Sequence, residues 1–266
     1  MDLVIKQMNG HSGCKIYLCE KNNHKYVRKV SASEEYNVRL KEQMRKQSSF
    51  RHSTLNAPRI LSSGFVDGLY YFDMEFISGV PLHNHISLNN VNDTIPIIDA
   101  LCKFLEQVPT EQGDMSKEMR EKSNSLSLVL PKSMHKYLDY CTAHDWTSVS
   151  MSENHGDLTF ENVLVYRNKI FLIDFLDSFV QTKYIDYAKL MQDVMLGWSW
   201  RHHADKPLIK NIRLYNRIMK TLSPSEVEIS KRFLVLNLLR IVPYSNDTTL
   251  KYLKNRLQYL DRVFEI

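Results

Sequence analysis

Three oxygen-bearing side chains near the middle of the chain have the spacing that phosphoryl transfer would need. Asp157 follows His155-Gly156, Asn162 lies a little farther on, and Asp174 comes after an apolar stretch. Phosphoryl transfer requires an acceptor hydroxyl held in line with the phosphorus and cations that neutralise the phosphate charge. Asp157 can orient that hydroxyl, while Asn162 and Asp174 offer the oxygen ligands that Mg²⁺ prefers. We predict that Asp157 is catalytic and that Asn162 and Asp174 bind metal.

The stretch between Asn162 and Asp174 predicts a β-hairpin. Two apolar runs, 163–165 and 170–173, flank the turn-forming pair Arg167-Asn168. Because a hairpin goes out and returns, its two ends would lie together. The alternative is that Asp and Asn here are only turn formers and helix caps. Their order, spacing and strand context favour the functional interpretation, with His155 bracing the loop by hydrogen bonding.

The elements before this segment are mainly β-strands. Runs 14–19 and 25–30 predict a hairpin, and Ser31 with Glu34 forms a capping-box pattern for a helix that ends near Gln47. Strands follow at 60–66 and 69–77, before a hinge at 78–81. Helices are predicted after the hinge at 93–107, 116–126, 133–143, 184–196, 207–222, 224–241 and 248–263.

The pattern His155-Gly156-Asp157, Asn162 and Ile173-Asp174-Phe175 resembles the aminoglycoside phosphotransferase and choline kinase superfamily, whose loop carries H-G-D where protein kinases usually carry H-R-D. The resemblance extends through about Leu196. It implies an α+β, bilobal protein-kinase-like fold, with a β-rich nucleotide-binding lobe at 1–77 and a mainly helical catalytic and substrate-binding lobe at 78–266. It also implies ATP, or GTP as the alternative, together with Mg²⁺ and a small-molecule hydroxyl as acceptor.

The resemblance assigns phosphate contacts to two further places. The turn Asn9–Gly13 would cover the phosphates, and Ser12 would add a hydroxyl, although the turn departs from G-x-G-x-x-G. Lys29 shares a strand face with Val27 and would pair the α and β phosphates. A register error of one residue would exchange Lys29 with Arg28.

Two other contacts are expected from the same resemblance. An acidic residue on the following helix should pair with Lys29; Glu42 is best placed and Glu35 is the rival. The Glu75 carbonyl and the Ile77 amide would bond the purine edge.

Asp186 is expected to anchor the metal-binding loop. The aromatic and cationic cluster 198–203 either packs or borders the acceptor pocket.

Composition limits the remaining possibilities. Of 266 residues, 43% are hydrophobic and 24% charged, which suits a cytosolic globular protein without membrane insertion. The four cysteines lack metal-binding spacing, and a net charge of +5 without basic tracts gives no support for nucleic acid binding. Two alternatives stay open: a protein kinase, disfavoured by Leu176 in place of the D-F-G glycine, and a catalytically weak pseudokinase or binding module. The acceptor and the oligomeric state are left open.

Overall fold

Strands are concentrated in one part of the chain and helices in the other. A computed structural model describes residues 3–8 and 14–266. The chain divides into a first unit, Met1–His85 with Glu161–Asp177, and a second unit, Ile86–Phe160 with Ser178–Ile266. The first is built mainly from strands and the second mainly from helices, so the predicted α+β class is confirmed. The division differs from the single boundary expected after residue 77, because 161–177 pairs with strands of the first unit.

The described part of the chain contains eleven strands: β1 (Leu3–Met8), β2 (Cys14–Lys21), β3 (His24–Ser31), β4 (Leu55–Asn56), β5 (Ile60–Val66), β6 (Leu69–Glu75), β7 (Val80–Pro81), β8 (Glu111–Gly113), β9 (Val149–Met151), β10 (Val163–Tyr166) and β11 (Lys169–Leu172). Its nine α-helices are α1 (Asn37–Ser49), α2 (Leu82–Leu88), α3 (Val91–Gln107), α4 (Ser116–Ser127), α5 (His135–Thr142), α6 (Lys183–Leu196), α7 (Leu208–Met219), α8 (Pro224–Ile241) and α9 (Asp247–Phe264). Short 3₁₀ helices lie at Lys132–Met134, Trp198–Trp200 and Val242–Tyr244.

An antiparallel sheet with the order β1-β2-β3-β6-β5 forms most of the first unit. The β2–β3 turn places Asn22 and Asn23 at positive φ, 51° and 62°, as a tight hairpin turn of this type requires. Leu40 of α1 is fully buried in a core with residues from three of the strands: Cys14, Val27, Tyr70, Phe72 and Met74. Burial of this apolar surface against the sheet holds α1 in place.

A second sheet in the first unit, of order β4-β11-β10-β7, contains the predicted hairpin. Strands β10 and β11 are antiparallel, and Arg167 and Asn168 form the turn with φ of 47° and 60°. Strand β4 adds to β11 in parallel and β7 adds to β10 in antiparallel. These two added strands have two residues each, which is too short for a periodic sequence signal.

Helix α6 lies at the centre of the second unit, where it packs against α7 and α8. Eleven of its fourteen residues are buried, including Asp186 and Asp193. It begins at an N-cap, Thr182, whose hydroxyl accepts from the Tyr184 amide, and it ends at Gly197 with φ 68°. Among the described residues, no helix is long and apolar enough to cross a membrane.

The helix predictions differ from the structure mainly at their ends, but α2 (Leu82–Leu88) was not predicted and one helix start is wrong. The capping box at Ser31 is wrong: Ser31 closes β3, its hydroxyl donates to the Ser33 carbonyl at 2.7 Å, and α1 begins only at Asn37. The Ser31 side chain, which the pattern assigned to a helix N-cap, is instead buried at the end of β3. The predicted turn 9–13, with Ser12, lies outside the described residues.

Gly79 allows the linker before β7 to approach β10 closely. A Cβ added there would lie 3.0 Å from the Leu164 Cβ and 3.2 Å from the Val165 carbonyl oxygen. Main-chain atoms cannot rotate away as a side chain does. We therefore expect Gly79→Ala to lower the free energy of unfolding by about 1–3 kcal/mol in urea titrations. Gly64→Ala is the control, because its Cβ would meet only the rotatable Tyr71 side chain; equal losses in the two variants would refute the close-approach argument.

Candidate active site

Strand β3 places the neighbouring side chains of Arg28 and Lys29 on opposite faces of the sheet. Lys29 is 3% exposed and lies on the same face as the buried Val27. Arg28 points the other way and makes a bidentate pair with Asp73, Nε to Oδ1 at 2.7 Å and Nη2 to Oδ2 at 2.8 Å. The guanidinium also lies 4.6 Å from the centre of the Tyr71 ring. Arg28 is thus committed to a structural contact, and the inward-facing cation is Lys29.

The Lys29 ammonium donates to the Asp174 carboxylate. Burial by itself lowers the pKa of Lys29, but the adjacent Asp174 outweighs it, so the pKa stands above its ordinary value and the side chain is charged. Asp174 has φ 63°, a left-handed conformation that non-glycine residues adopt at a cost of about 1–2 kcal/mol. The chain therefore turns sharply after β11 at the residue whose carboxylate meets the buried cation.

The two residues after Asp174 are attached to α1 and its C-terminal end. Phe175 is buried and its ring centre lies 5.3 Å from that of Phe50. Lys46 donates to the Leu176 carbonyl at 2.8 Å. These contacts, with the Lys29 pair, hold the segment at three successive residues. Lys46 was not predicted, because a lysine on an amphipathic helix ordinarily indicates a solvated face.

The hairpin brings the main chain at Asn162 next to the main chain before Asp174. The Ile173 amide donates to the Asn162 carbonyl at 3.0 Å, directly beyond the β10–β11 pair Val163–Leu172. In the part of the chain that the structure describes, no group of three or more His, Cys, Asp or Glu side chains could hold a metal alone. One amide and one carboxylate suit Mg²⁺ only if phosphates and water complete the shell, which is its usual mode with nucleotides.

The predicted acidic partner of Lys29 is wrong for both residues considered. Glu42 is partly exposed and pairs with Arg45 at 2.8 Å, one turn along α1. Glu35 is exposed and precedes α1. The inward position of α1 is occupied by Gln43, which is 1% exposed, donates to the Tyr36 hydroxyl at 3.0 Å and has a buried Oε1 without a hydrogen-bond partner. Helical spacing from Leu40 places position 43, and not position 42, on the inward side of α1, so the choice of Glu42 did not follow the periodicity.

A cavity of about 340 Å³ lies in the first unit at the end of β6. One side is formed by 75–78, which includes both residues predicted to read adenine, Glu75 and Ile77. The other side comes from the hairpin, with the lining residues Tyr166, Arg167, Lys169 and Phe171. Cavities of this size, with aromatic and main-chain polar groups, are typical of small-ligand sites.

In the second unit, Asp186 holds the start of the predicted catalytic loop. Its buried carboxylate accepts from the His155 amide at 2.6 Å and from the Gly156 amide at 2.9 Å. Its place in the first turn of α6 also suits a negative charge. Asp186 was expected to anchor the metal-binding loop, whereas the two amides that it binds belong to the loop that carries Asp157.

Asp193 holds the other end of the same loop. One carboxylate oxygen accepts from the Phe160 amide at 2.6 Å and the other from the Ser199 amide at 2.8 Å. His155 is 1% exposed and its Nδ1 accepts from the Asp157 amide at 3.3 Å, so it braces the loop as predicted. Asp193 was missed, because a second aspartate near the end of a helix carries no motif.

The Asp157 carboxylate faces Lys189 of α6. Its Oδ1 lies 2.9 Å from the Lys189 ammonium, and the two side chains are 23% and 12% exposed. The cluster 198–203 includes Trp200, which is fully buried, donates to Ser87 at 2.9 Å and meets the Phe160 ring edge-on at 6.0 Å. Trp200 therefore packs behind the loop, whereas His202 and His203 are exposed.

Comparison with known proteins supports the fold. No protein-family model matches the sequence, and no curated protein matches it either. Solved structures do match. An aminoglycoside phosphotransferase APH(4)-Ia, in a ternary complex with AMP-PNP and hygromycin B, is 14% identical, covers 97% of this chain and 92% of its own, and has a TM-score of 0.70.

Two other matches point to the same architecture. The APH(2")-IIa complex with streptomycin and ATP is 14% identical, with a TM-score of 0.61 and coverage of 95% and 90%. A putative fructosamine-3-kinase from Haemophilus somnus 129PT is also 14% identical, with a TM-score of 0.57 and coverage of 95% and 91%. The chain thus has the kinase-like fold of these small-molecule phosphotransferases, and the predicted resemblance is confirmed at the level of the fold.

The correction on α1 gives a direct test. Glu42→Ala should leave the affinity for an ATP analogue within about twofold of the parent protein, because only a surface pair with Arg45 is lost. If Lys29 pairs the nucleotide phosphates as predicted, Lys29→Ala should weaken the same affinity at least about tenfold, since it removes that charged contact. Fluorescence titration with the analogue measures both. A strong loss in the Glu42 variant, with Lys29→Ala unaffected, would reverse the assignment.

The Asp186 contacts predict a large effect on stability. Asp186→Ala leaves two buried amides without acceptors, so we expect a loss of about 2–5 kcal/mol in the free energy of unfolding. Chemical denaturation followed by circular dichroism provides the measurement. Glu121→Ala on α4 removes only an exposed carboxylate and should leave the midpoint unchanged. A midpoint for Asp186→Ala equal to that of this control would contradict the anchoring role.

Proposed function

We propose that the protein transfers the γ-phosphoryl group of ATP to a hydroxyl of a small molecule such as a sugar or an amino alcohol. The observation that carries this proposal lies at the open end of the β10–β11 hairpin. There the main chain of Ile173 is hydrogen-bonded to that of Asn162, and Asp174, the next residue, contacts the buried Lys29 cation. A carboxylate, an amide oxygen and a fixed cation at one end of a hairpin are the groups that polyphosphate binding requires. The similar structures that contain AMP-PNP or ATP support the choice of nucleotide.

Asn162 and Asp174 are the residues that would hold Mg²⁺. The metal, when bound, would neutralise charge on the nucleotide phosphates. Lys29 now donates to Asp174, so the carboxylate already carries a cation. Nucleotide binding would give Lys29 a second anion, the α and β phosphates, and Asp174 would then be available to the metal. In this scheme Asp174 serves both Lys29 and the metal, so Lys29 needs no acidic partner on α1.

The cavity beside Glu75 and Ile77 is our proposed purine site. Its main-chain edge would bond the base through the Glu75 carbonyl and the Ile77 amide, and the aromatic side chains opposite, Tyr166 and Phe171, would cover the ring. Arg167 and Lys169 add positive charge at the same cavity. Since main-chain groups do the bonding, GTP stays the alternative nucleotide.

Asp157 is the proposed catalytic residue of the second unit. Its carboxylate would accept the hydrogen bond of the acceptor hydroxyl and, as transfer completes, its proton. The acceptor oxygen forms a bond to the γ-phosphorus while the bond from that phosphorus to the β–γ bridging oxygen breaks, and ADP leaves with that electron pair. A loop held at His155, Gly156 and Phe160 by buried carboxylates supplies the fixed position that this role requires.

Two rivals to this proposal are less well supported. A protein kinase would need a regulated segment after Asp174, but only residues 175–182 precede α6. A pseudokinase would keep the fold without turnover, yet the chain has Asp157, Asn162 and Asp174 together. The solved structures that match include aminoglycoside phosphotransferases and a putative fructosamine-3-kinase, which favours a small-molecule acceptor without identifying it.

The experiment is ATP turnover by the purified protein with Mg²⁺ and a panel of sugars, amino alcohols and aminoglycosides. We expect Asp157→Ala and Asp174→Ala each to reduce turnover at least about 1,000-fold in protein that is still folded by circular dichroism at the assay temperature. Asp93→Ala, an exposed carboxylate in the first turn of α3, is the control and should retain parental turnover. Parental rates in the Asp157 or Asp174 variant would overturn the assignment.

A further inference from the structure

Helix α6 touches the catalytic loop with three charged side chains on one face. Asp186 binds the amides of His155 and Gly156, Lys189 binds the Asp157 carboxylate, and Asp193 binds the Phe160 amide. Residues separated by three, four and seven positions in a helix lie on the same side. The two aspartates accept hydrogen bonds from main-chain amides of the loop. Lys189 is the one of the three that contacts the side chain proposed to do chemistry.

The loop itself carries no cation. Between Asp157 and Asn162 the sequence is Leu158-Thr159-Phe160-Glu161, without lysine or arginine. A carboxylate that must point one oxygen at an acceptor needs a partner that fixes its rotation. Lys189 supplies that partner from α6, at 2.9 Å and with only 12% of its side chain exposed. An ammonium so enclosed is held by packing, so the pair is more constrained than a surface ion pair.

We propose that Lys189 is a positioning residue for phosphoryl transfer: it orients the Asp157 carboxylate toward the acceptor hydroxyl. This inference rests on the proposed function. Lys189 does not contact the nucleotide in this scheme, so its loss should lower kcat and spare nucleotide affinity. Arginine keeps the charge and a hydrogen-bond donor, so Lys189→Arg should restore part of the rate that Lys189→Met loses.

The same helix provides a matched control. Lys183 pairs with Glu226 at 3.2 Å, and these side chains are 13% and 24% exposed, against 12% and 23% for Lys189 and Asp157. Lys183→Met therefore removes an ion pair of similar burial from the same element without touching Asp157. If the Lys189 pair served only stability, the two substitutions would have the same consequences.

The test measures three quantities for each variant: ATP consumption, affinity for the ATP analogue and the thermal midpoint. ATP consumption is measured with the best acceptor of the panel, or as hydrolysis by water if no acceptor of the panel is phosphorylated. We expect Lys189→Met to lower kcat about 100-fold, with analogue affinity within about twofold and a thermal midpoint like that of Lys183→Met. Lys183→Met should retain parental kcat. Lys189→Met combined with Asp157→Asn should be no slower than Asp157→Asn alone, because the two residues act as a unit.

The outcomes separate this inference from the proposed function. A parental protein that turns over ATP while Lys189→Met and Lys183→Met have equal kcat would overturn the positioning role alone. Failure of Lys189→Arg to exceed Lys189→Met would do the same. A parental protein that neither binds the analogue nor consumes ATP would overturn the proposed function, and the role of Lys189 with it.

Discussion

The loop that carries Asp157 depends on two buried carboxylates that accept hydrogen bonds from its main chain. Residues 152–160 lack helix or strand, yet most are buried, so their amides need acceptors from elsewhere. Asp186 and Asp193, each fully buried, provide them from α6. The charge of these aspartates is itself tolerable in the interior only because several amides donate to it. Loop and helix therefore stabilise each other, and neither could be altered alone without leaving polar groups unpaired.

The first unit contains a buried cation, Lys29, where the second contains buried carboxylates. Lys29 is held among apolar strands, where desolvation disfavours its charge, and Asp174 restores the balance. The cost falls on the backbone, since Asp174 must adopt positive φ to bring its carboxylate to Lys29. The contacts of Phe175 and Leu176 with Phe50 and Lys46 help to hold that turn. The candidate metal ligand thus stands in a strained position that the surrounding packing maintains.

The sequence predicted those features whose signals are local. Paired turn residues at positive φ, Asn22-Asn23 and Arg167-Asn168, mark the β2–β3 and β10–β11 hairpins, and amphipathic periodicity placed seven helices to within a few residues. Features that depend on tertiary contacts were not predicted from the sequence. Lys189 and Asp193 would be ordinary surface charges on an isolated helix, and the two-residue strands β4 and β7 exist only through their partners.

Support through main-chain groups also explains how a kinase-like fold can be recognised at 14% identity. Asp186 and Asp193 bind amides, which every residue other than proline possesses, so the side chains of the loop can change without loss of these bonds. The adenine contacts proposed for 75–77 would have the same property. Contacts between side chains, such as Lys189 with Asp157, have no such tolerance. Features peculiar to this chain are therefore to be sought in its side-chain pairs, since its main-chain scaffold is of a kind that many sequences can build.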